Sequence, residues 1–247
     1  MVATTFPEAM TKLEQWAQSP DKAYGVAYAD VHVMARARHE ADFGSALKKL
    51  DAVMPDGRPV LWAVNQHLPK DLRLTQRISG PDMFSRFQAY SNERPHLRHF
   101  YLGGSEQLLG DLIDSVKSKC PSINIAGAYS PPFGTWSAEE ISLMIQKISD
   151  SGANVVWVGL GCPKQEKWIA DNLPQLPPGV YMAVGAAFAF YTGKVKRAPI
   201  WIQKLGMEWC HRILSEPRRL WKRYVVYNSL FLYYTLRDRC CGTPKRS

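Results

Sequence analysis

The chain has few of the features that mark a secreted, metal-bound or membrane-spanning protein. Its five cysteines, Cys120, Cys162, Cys210, Cys240 and Cys241, are odd in number, irregularly spaced and without a C-x-x-C pair. That pattern argues against a disulfide framework and a zinc site, and fits a reducing compartment. The opening stretch, "MVATTFPEAMTKLEQWAQSP", lacks a basic start followed by an apolar core, so no signal peptide is expected. The longest greasy run, Tyr224–Leu236, is too short and too polar for the roughly 20 apolar residues that a membrane span requires. No D-x-D pair is present to hold a metal–diphosphate complex, and neither an internal repeat nor a low-complexity linker interrupts the 247 residues. Wholesale disorder is also excluded, because 46% of the residues are hydrophobic and suffice for a real core.

Acidic residues are scarce in one place. From Lys194 onward there are 13 Lys/Arg against 3 Asp/Glu, whereas the first 193 residues hold 18 basic and 19 acidic groups. The net charge of +9 therefore belongs almost wholly to the tail. Such a tail suits nucleic acid, an anionic membrane or a phosphorylated substrate, or is simply a solvated helical face.

Short β-prone runs recur at Ala23–Asp30, His96–Gly104, Ser122–Gly127, Ala153–Gly161 and Gly179–Gly185, most of them ending in glycine. Helical stretches lie between them. One follows Ser105, a candidate N-cap; another opens with Ser137 and Glu140 at capping-box spacing and closes at Gly152. Strands alternating with helices predict an α/β fold, a Rossmann-like and mostly parallel sheet flanked by helices, with ligands at the carboxyl ends of the strands. The last fifty-odd residues change character. Trp201, Leu205 and Trp209, and then Leu220, Tyr224, Tyr227 and Phe231, fall at helical spacing, with Pro217 suited to start the second helix. This divides the chain into a Rossmann-like body, 1–195, and a helical, basic and aromatic appendage, 196–247. The appendage either packs on the body or lies on a membrane surface with Trp and Tyr at headgroup depth.

The turn in "VWVGLGCPKQEKWIA" lets the backbone approach a ligand at Gly159 and Gly161, ahead of a helix start that attracts anions. The dinucleotide fingerprint needs a third glycine where Lys164 stands, which opposes a nucleotide-sugar oxidoreductase. Pro163 suits the first helical position, and Gln165 and Glu166 follow in the first turn, where they would face the strand ends.

"VGLGCPKQEKWIA" resembles the Gly-x-Pro-x-Gln-Glu segment of the WecG/TagA/CpsF glycosyltransferases (glycosyltransferase family twenty-six). "MPDGRPVLWA", "QRISGPDMF", "VGAAFAFYTGKVKRAP" and "GMEWCHRILSEPRRLWKRY" resemble four further family segments, in order, across roughly residues 23–224. The resemblance implies an inverting, metal-independent enzyme without a cofactor. It would move a sugar from a UDP-sugar donor to a polyprenyl-diphosphate-linked saccharide in bacterial surface polysaccharide synthesis: exopolysaccharide, capsule, teichoic acid or common antigen. It further implies a cytoplasmic protein, peripheral on the inner face of the cell membrane and drawn to its anionic surface, with homo-oligomerisation open and no nucleic-acid partner.

The resemblance makes Asp56, in its Pro-Asp-Gly turn, the general base, and brings the arginines of the tail over the site, where Arg212 and Arg219 meet a diphosphate. Asp-Gly is also an ordinary turn pair, and any tail arginine, Arg223 included, suits a lipid surface equally. Arg77 and Asp82 flank Gly80 in the family segment and suit either a phosphate or a structural salt bridge; Arg197 falls in the next segment. Gln165 suits a sugar or phosphate oxygen, or a helix cap that Glu166 could equally fill. Gly104 and Gly161 mark strand-end turns. Tyr129 suits stacking on uracil or plain packing. Asp30 and His32 lie at the end of the first strand, although a lone histidine is more often a satisfied neighbour. Two departures from the family pattern, Tyr28-Ala29-Asp30 for Thr-x-Asn and Ala189 for an aspartate, leave the donor open between N-acetylmannosamine and glucose or glucuronic acid. The rival reading is a basic nucleic-acid-binding α/β protein, opposed by apolar stripes where a stacking platform would be exposed.

Overall fold

The computed structural model describes residues 5–199, 202, 208, 210, 213 and 217–241, and within the last of these segments the side chains at 221 and 224–238. Six parallel strands form one sheet: β1 (Ala23–Ala29), β2 (Ala52–Pro55), β3 (Arg98–Leu102), β4 (Asn124–Tyr129), β5 (Val155–Val158) and β6 (Gly179–Ala183), in the order β2-β1-β6-β5-β3-β4. The parallel ladder, as in Val26 opposite Ala52 and Tyr101 opposite Trp157, requires crossovers, which the intervening helices supply. The predicted α/β, Rossmann-like architecture is the one observed.

Alternation along the strands divides two buried layers. Val155, Trp157 and Met182 join a core closed by α1 (Phe6–Gln18), α5 (Gly80–Ser91), α6 (Glu106–Lys119) and α9 (Ala187–Tyr191), through Leu13, Phe84, Leu112 and Phe188. Val156, Val158 and Tyr181 join the opposite core, closed by α2 (Val31–His39), α3 (Ala41–Lys49), α7 (Ala138–Ser151) and α8 (Lys164–Asn172), through Val33, Phe43, Met144 and Ile169. A sheet covered on both faces explains the nearly continuous apolar strands.

The local signals act as their chemistry dictates. The Ser137 hydroxyl accepts from the Glu140 N–H at 3.2 Å, and the Ser137 N–H donates to Glu140 Oε2 at 2.7 Å. Gly152 ends α7 in the left-handed conformation at φ 63°. Gly103 has φ 109°, and a Cβ there would lie 2.7 Å from the Gly159 backbone, so the β3 and β5 ends approach each other only because a side chain is missing. Most strands start or stop one to three residues inside their apolar runs, whereas β4 starts two residues late and runs on past Gly127 to Tyr129. Asp30 closes β1 and caps α2, accepting from the Val33 N–H at 2.9 Å. Pro163 stands one residue ahead of α8 rather than at its first position, because its ψ is near 0°.

The described part of the last helix is α10 (Pro217–Cys241). It packs along α2. The Tyr227 ring meets His32 edge-on at 4.5 Å, its hydroxyl donates to Glu40 at 3.0 Å, and Arg38 forks onto Asp238 with one arm at 3.0 Å. Among the described residues no helix is long and apolar enough to cross a membrane. The stripe of Trp201, Leu205 and Trp209 lies outside the described residues.

Candidate active site

A cavity of about 250 Å³ opens beyond the carboxyl ends of β1 and β2. Asp30 and Val31 enter it from the β1–α2 junction, and Asp56 to Pro59 from the turn that joins β2 to α4 (Arg58–Asn65). Arg77, Ser79 and Pro81 line it from the start of α5, and Phe190 from α9. Its remaining wall is built by the end of the chain: Arg197, Glu208, and Tyr224, Asn228 and Phe231 of α10. This is the edge of a parallel sheet at which α/β folds bind ligands.

Asp56 is placed by backbone as much as by its own side chain. Its N–H donates to the Ala29 carbonyl at 2.9 Å, which ties the turn to the end of β1. Gly57 follows at φ 117°, a conformation that strains any residue with a side chain. The carboxylate accepts from the Gly80 N–H at 3.2 Å through Oδ2, while Oδ1 stands 3.6 Å from Arg77 Nη1. Of the Asp56 side-chain surface 23% stays exposed, enough for a reacting group to reach it. Burial is the largest influence on its proton affinity. Repulsion from Asp30 and Glu208 adds to that, Arg77 and the Gly80 N–H oppose it, and the carboxyl is pushed up to about 7. A carboxyl titrating near neutrality beside a cavity is suited to take a proton at physiological pH.

Arg77 is shared among three carboxylates. Its guanidinium lies 3.6 Å from Asp56, 3.7 Å from Asp82 and 3.9 Å from Glu208. Arg197 makes the tighter bonds: to both Asp82 oxygens, one at 3.2 Å, to Ser79 Oγ at 3.4 Å, and through Nε to Glu208 at 3.1 Å. Burial disfavours the charged form of Asp82, but the bonds from Arg197 and Ser79 and the charge of Arg77 together outweigh it, so its carboxyl lies below the usual range. Asp82 thus anchors Arg197 to α5, and Arg197 anchors Glu208.

The other residues singled out from sequence fall into separate places. His32 is 3% exposed and packs against Tyr227, so it sits as a buried contact between α2 and α10. Gln165 and Glu166 are buried beside the β5 and β6 loops and do not line the cavity. The Gln165 amide oxygen accepts from the N–H groups of Gly161 at 3.1 Å and Gly185 at 3.0 Å, and its amide nitrogen donates to Glu166 at 2.9 Å. It stitches two strand-end loops together, and burial raises the Glu166 carboxyl above its ordinary range. Gly104 and Tyr129 lie at the β3 and β4 ends, with Lys147 4.9 Å over the Tyr129 ring. Arg212 lies outside the described residues, as do the side chains of Arg219 and Arg223. Tyr28, one of the departures from the family pattern, is buried with its hydroxyl proton held by burial and by the nearby Asp56 charge. Ala189 sits in α9 and is only partly buried.

Sequence reading missed Glu208, Arg58, Phe190 and Asn228 as cavity-lining residues. Glu208 carried a signal: it is the one acidic residue between Lys194 and Ser215, within an otherwise basic stretch. Asn228 carried none, since a single polar residue on an aromatic helix is ordinary.

Known proteins resemble this chain along most of its length. The chain is 30% identical over 184 residues to the N-acetylglucosaminyldiphosphoundecaprenol N-acetyl-beta-D-mannosaminyltransferase of Bacillus subtilis (strain 168), an alignment covering 74% of this chain and 68% of that enzyme. Residues 1–244 match the profile of the Glycosyl transferase WecG/TagA/CpsF family. With a family match along nearly its whole length, the chain belongs to the WecG/TagA/CpsF family of glycosyltransferases.

Proposed function

We propose that this glycosyltransferase moves a sugar from a UDP-sugar to a saccharide carried on a polyprenyl diphosphate, with inversion, and that Asp56 is its general base. The acceptor class follows the printed activity of the Bacillus subtilis relative, which acts on a diphosphoundecaprenol-linked sugar. The observation that carries the reading is the Asp56 carboxyl, raised to about 7 and still reachable from the cavity. In an inverting transfer the acceptor hydroxyl attacks the anomeric carbon and gives its proton to a carboxylate. The bond from that carbon to the diphosphate breaks as the new one forms, and UDP leaves with the electron pair. Cations offset the charge that develops on UDP. Arg58, Arg77 and Arg197 line the cavity, and Arg212, Arg219 and Arg223 follow in the basic tail.

The same reading places the protein on the inner face of the cell membrane, as a peripheral enzyme serving surface polysaccharide synthesis. Support comes from α10. Trp221, Val225, Leu232, Tyr233 and Leu236 stay exposed on it while Tyr224 and Tyr227 face the body, and Arg237 stacks on Tyr234 at 5.2 Å. Exposed aromatic and aliphatic residues on a basic helix suit a headgroup boundary.

A panel of UDP-sugars tested with a prenyl-diphosphate-linked sugar analogue checks this reading. One donor is expected to be consumed, with release of UDP and inverted configuration in the product, and UDP alone is expected to raise Tm while bulk RNA does not. Turnover of no donor, or retained configuration, would refute it, and a shift with RNA alone would favour the nucleic-acid alternative.

A further inference from the structure

We propose that Glu208 is a positioning residue for Asp56: brought into the cavity by the C-terminal segment, it shares a guanidinium nitrogen of Arg77 with Asp56 and thereby makes Asp56 a stronger base. This rests on the reading of Asp56 as the base. The geometry is a competition at one atom. Arg77 Nη1 faces Asp56 Oδ1 at 3.6 Å and Glu208 Oε2 at 3.9 Å, and neither contact is close enough to exclude the other. Glu208 cannot simply swing away, because its Oε1 accepts from Arg197 Nε at 3.1 Å and Arg197 is itself forked onto Asp82.

Two charge states of the cavity follow. With Glu208 docked, Asp56 shares its cation with a second carboxylate. Without Glu208, Arg77 has one fewer competitor and holds Asp56 more firmly as a plain ion pair, a weaker base. Among the described residues, the other charged or titratable groups at this cavity are Asp30 after β1, Tyr28 on β1, Arg58 at the start of α4 and Arg77 ahead of α5 from the body, with Arg197 and Tyr224 from the C-terminal segment. Glu208 is the acid the C-terminal segment adds to them. The direction of the Asp56 proton affinity agrees, with Glu208 among the groups that raise it, after burial and Asp30. The consequence is a coupling: a chain whose C-terminal segment is not seated lacks both a wall of the cavity and full basicity at Asp56.

The test titrates Asp56 directly, without turnover. Aspartate labelled with carbon-13 at Cγ is followed by NMR across pH in the full chain, the Asp56 signal being the one that Asp56→Asn removes. In Glu208→Gln the Asp56 midpoint is expected to fall by about one pH unit. Glu208→Asp keeps the charge but withdraws it by one methylene from Arg77, and a smaller fall is expected. The amide signals of α2, on which α10 packs, should stay in place in both variants, so that the shift reads charge and not undocking. An unmoved midpoint in whichever variant folds would overturn the proposal. So would a midpoint shift accompanied by displaced α2 signals throughout, which would leave Glu208 a docking role alone. Full transfer activity in Asp56→Asn would remove the base while leaving the titration result intact, so the two ideas fail separately.

Discussion

Asp56→Asn should lose transfer by about 10²–10⁴-fold, the usual contribution of a positioned general base. The same variant should gain stability at neutral pH, and this combination is what separates a base from a structural residue. The sign follows from the folded-state proton affinity. The carboxyl titrates near 7 in the folded chain against an ordinary value of 3.8. Its contribution to stability is therefore fully present below about pH 4 and is lost as pH rises through 7, because the folded state holds a proton that the unfolded chain releases. An amide cannot ionise and escapes that loss. Asn at position 56 can still accept from the Gly80 N–H, so the turn is kept. Thermal unfolding should show a Tm several degrees above wild type at about pH 8 and no gain at about pH 4. A lower Tm at pH 8 together with lost activity would mean that the carboxylate matters to the fold and not to proton transfer.

Removing the chain after Pro199 should abolish transfer, by at least about 100-fold, and weaken binding to anionic liposomes. The body should stay folded, since both faces of the sheet are covered by helices that precede the cut, with Phe84 and Phe188 on one side and Phe43 and Ile169 on the other. What the cut removes is the wall formed by Glu208, Tyr224, Asn228 and Phe231. A site opened in this way no longer holds its reacting groups in line, and misplacement by about 1 Å alone costs on the order of 10²-fold. His32 and Glu40 would also lose Tyr227, so α2 should show faster amide exchange in the truncated chain. A truncated body as active as the full chain would mean that α10 is a membrane attachment and takes no part in the chemistry.

How far the sequence reached these conclusions depended on the range of each interaction. Capping residues and glycine turns act within a few positions, so Ser137, Glu140 and Gly152 announced α7, and the parallel sheet followed from glycine-ended apolar runs. The four residues of β2 are only a short apolar run, and it was the Pro-Asp-Gly turn at their end that marked a strand end there. Asp56 itself was legible for that reason. Its environment was not, because Asp30, Arg77 and Glu208 are remote in sequence and meet only through the sheet order and the return of the chain. Gln165 illustrates the converse. Its place at a helix start next to a glycine turn suggested a hand toward ligand, yet its amide oxygen accepts from the N–H groups of two loops, Gly161 and Gly185, that the fold brings side by side. Local patterns name a polar residue's neighbourhood; tertiary contacts decide whether its atoms are spent on protein or left for substrate.

The pH dependence of kcat/KM for transfer tests the central claim most directly, because it reports the ionisation of the free enzyme's base. The account predicts an acidic limb with its midpoint near 7, matching the Asp56 carboxyl, and its disappearance from the residual rate of Asp56→Asn. A profile flat between about pH 5 and 8 in the wild-type chain, or a limb that survives unchanged in the variant, would contradict it.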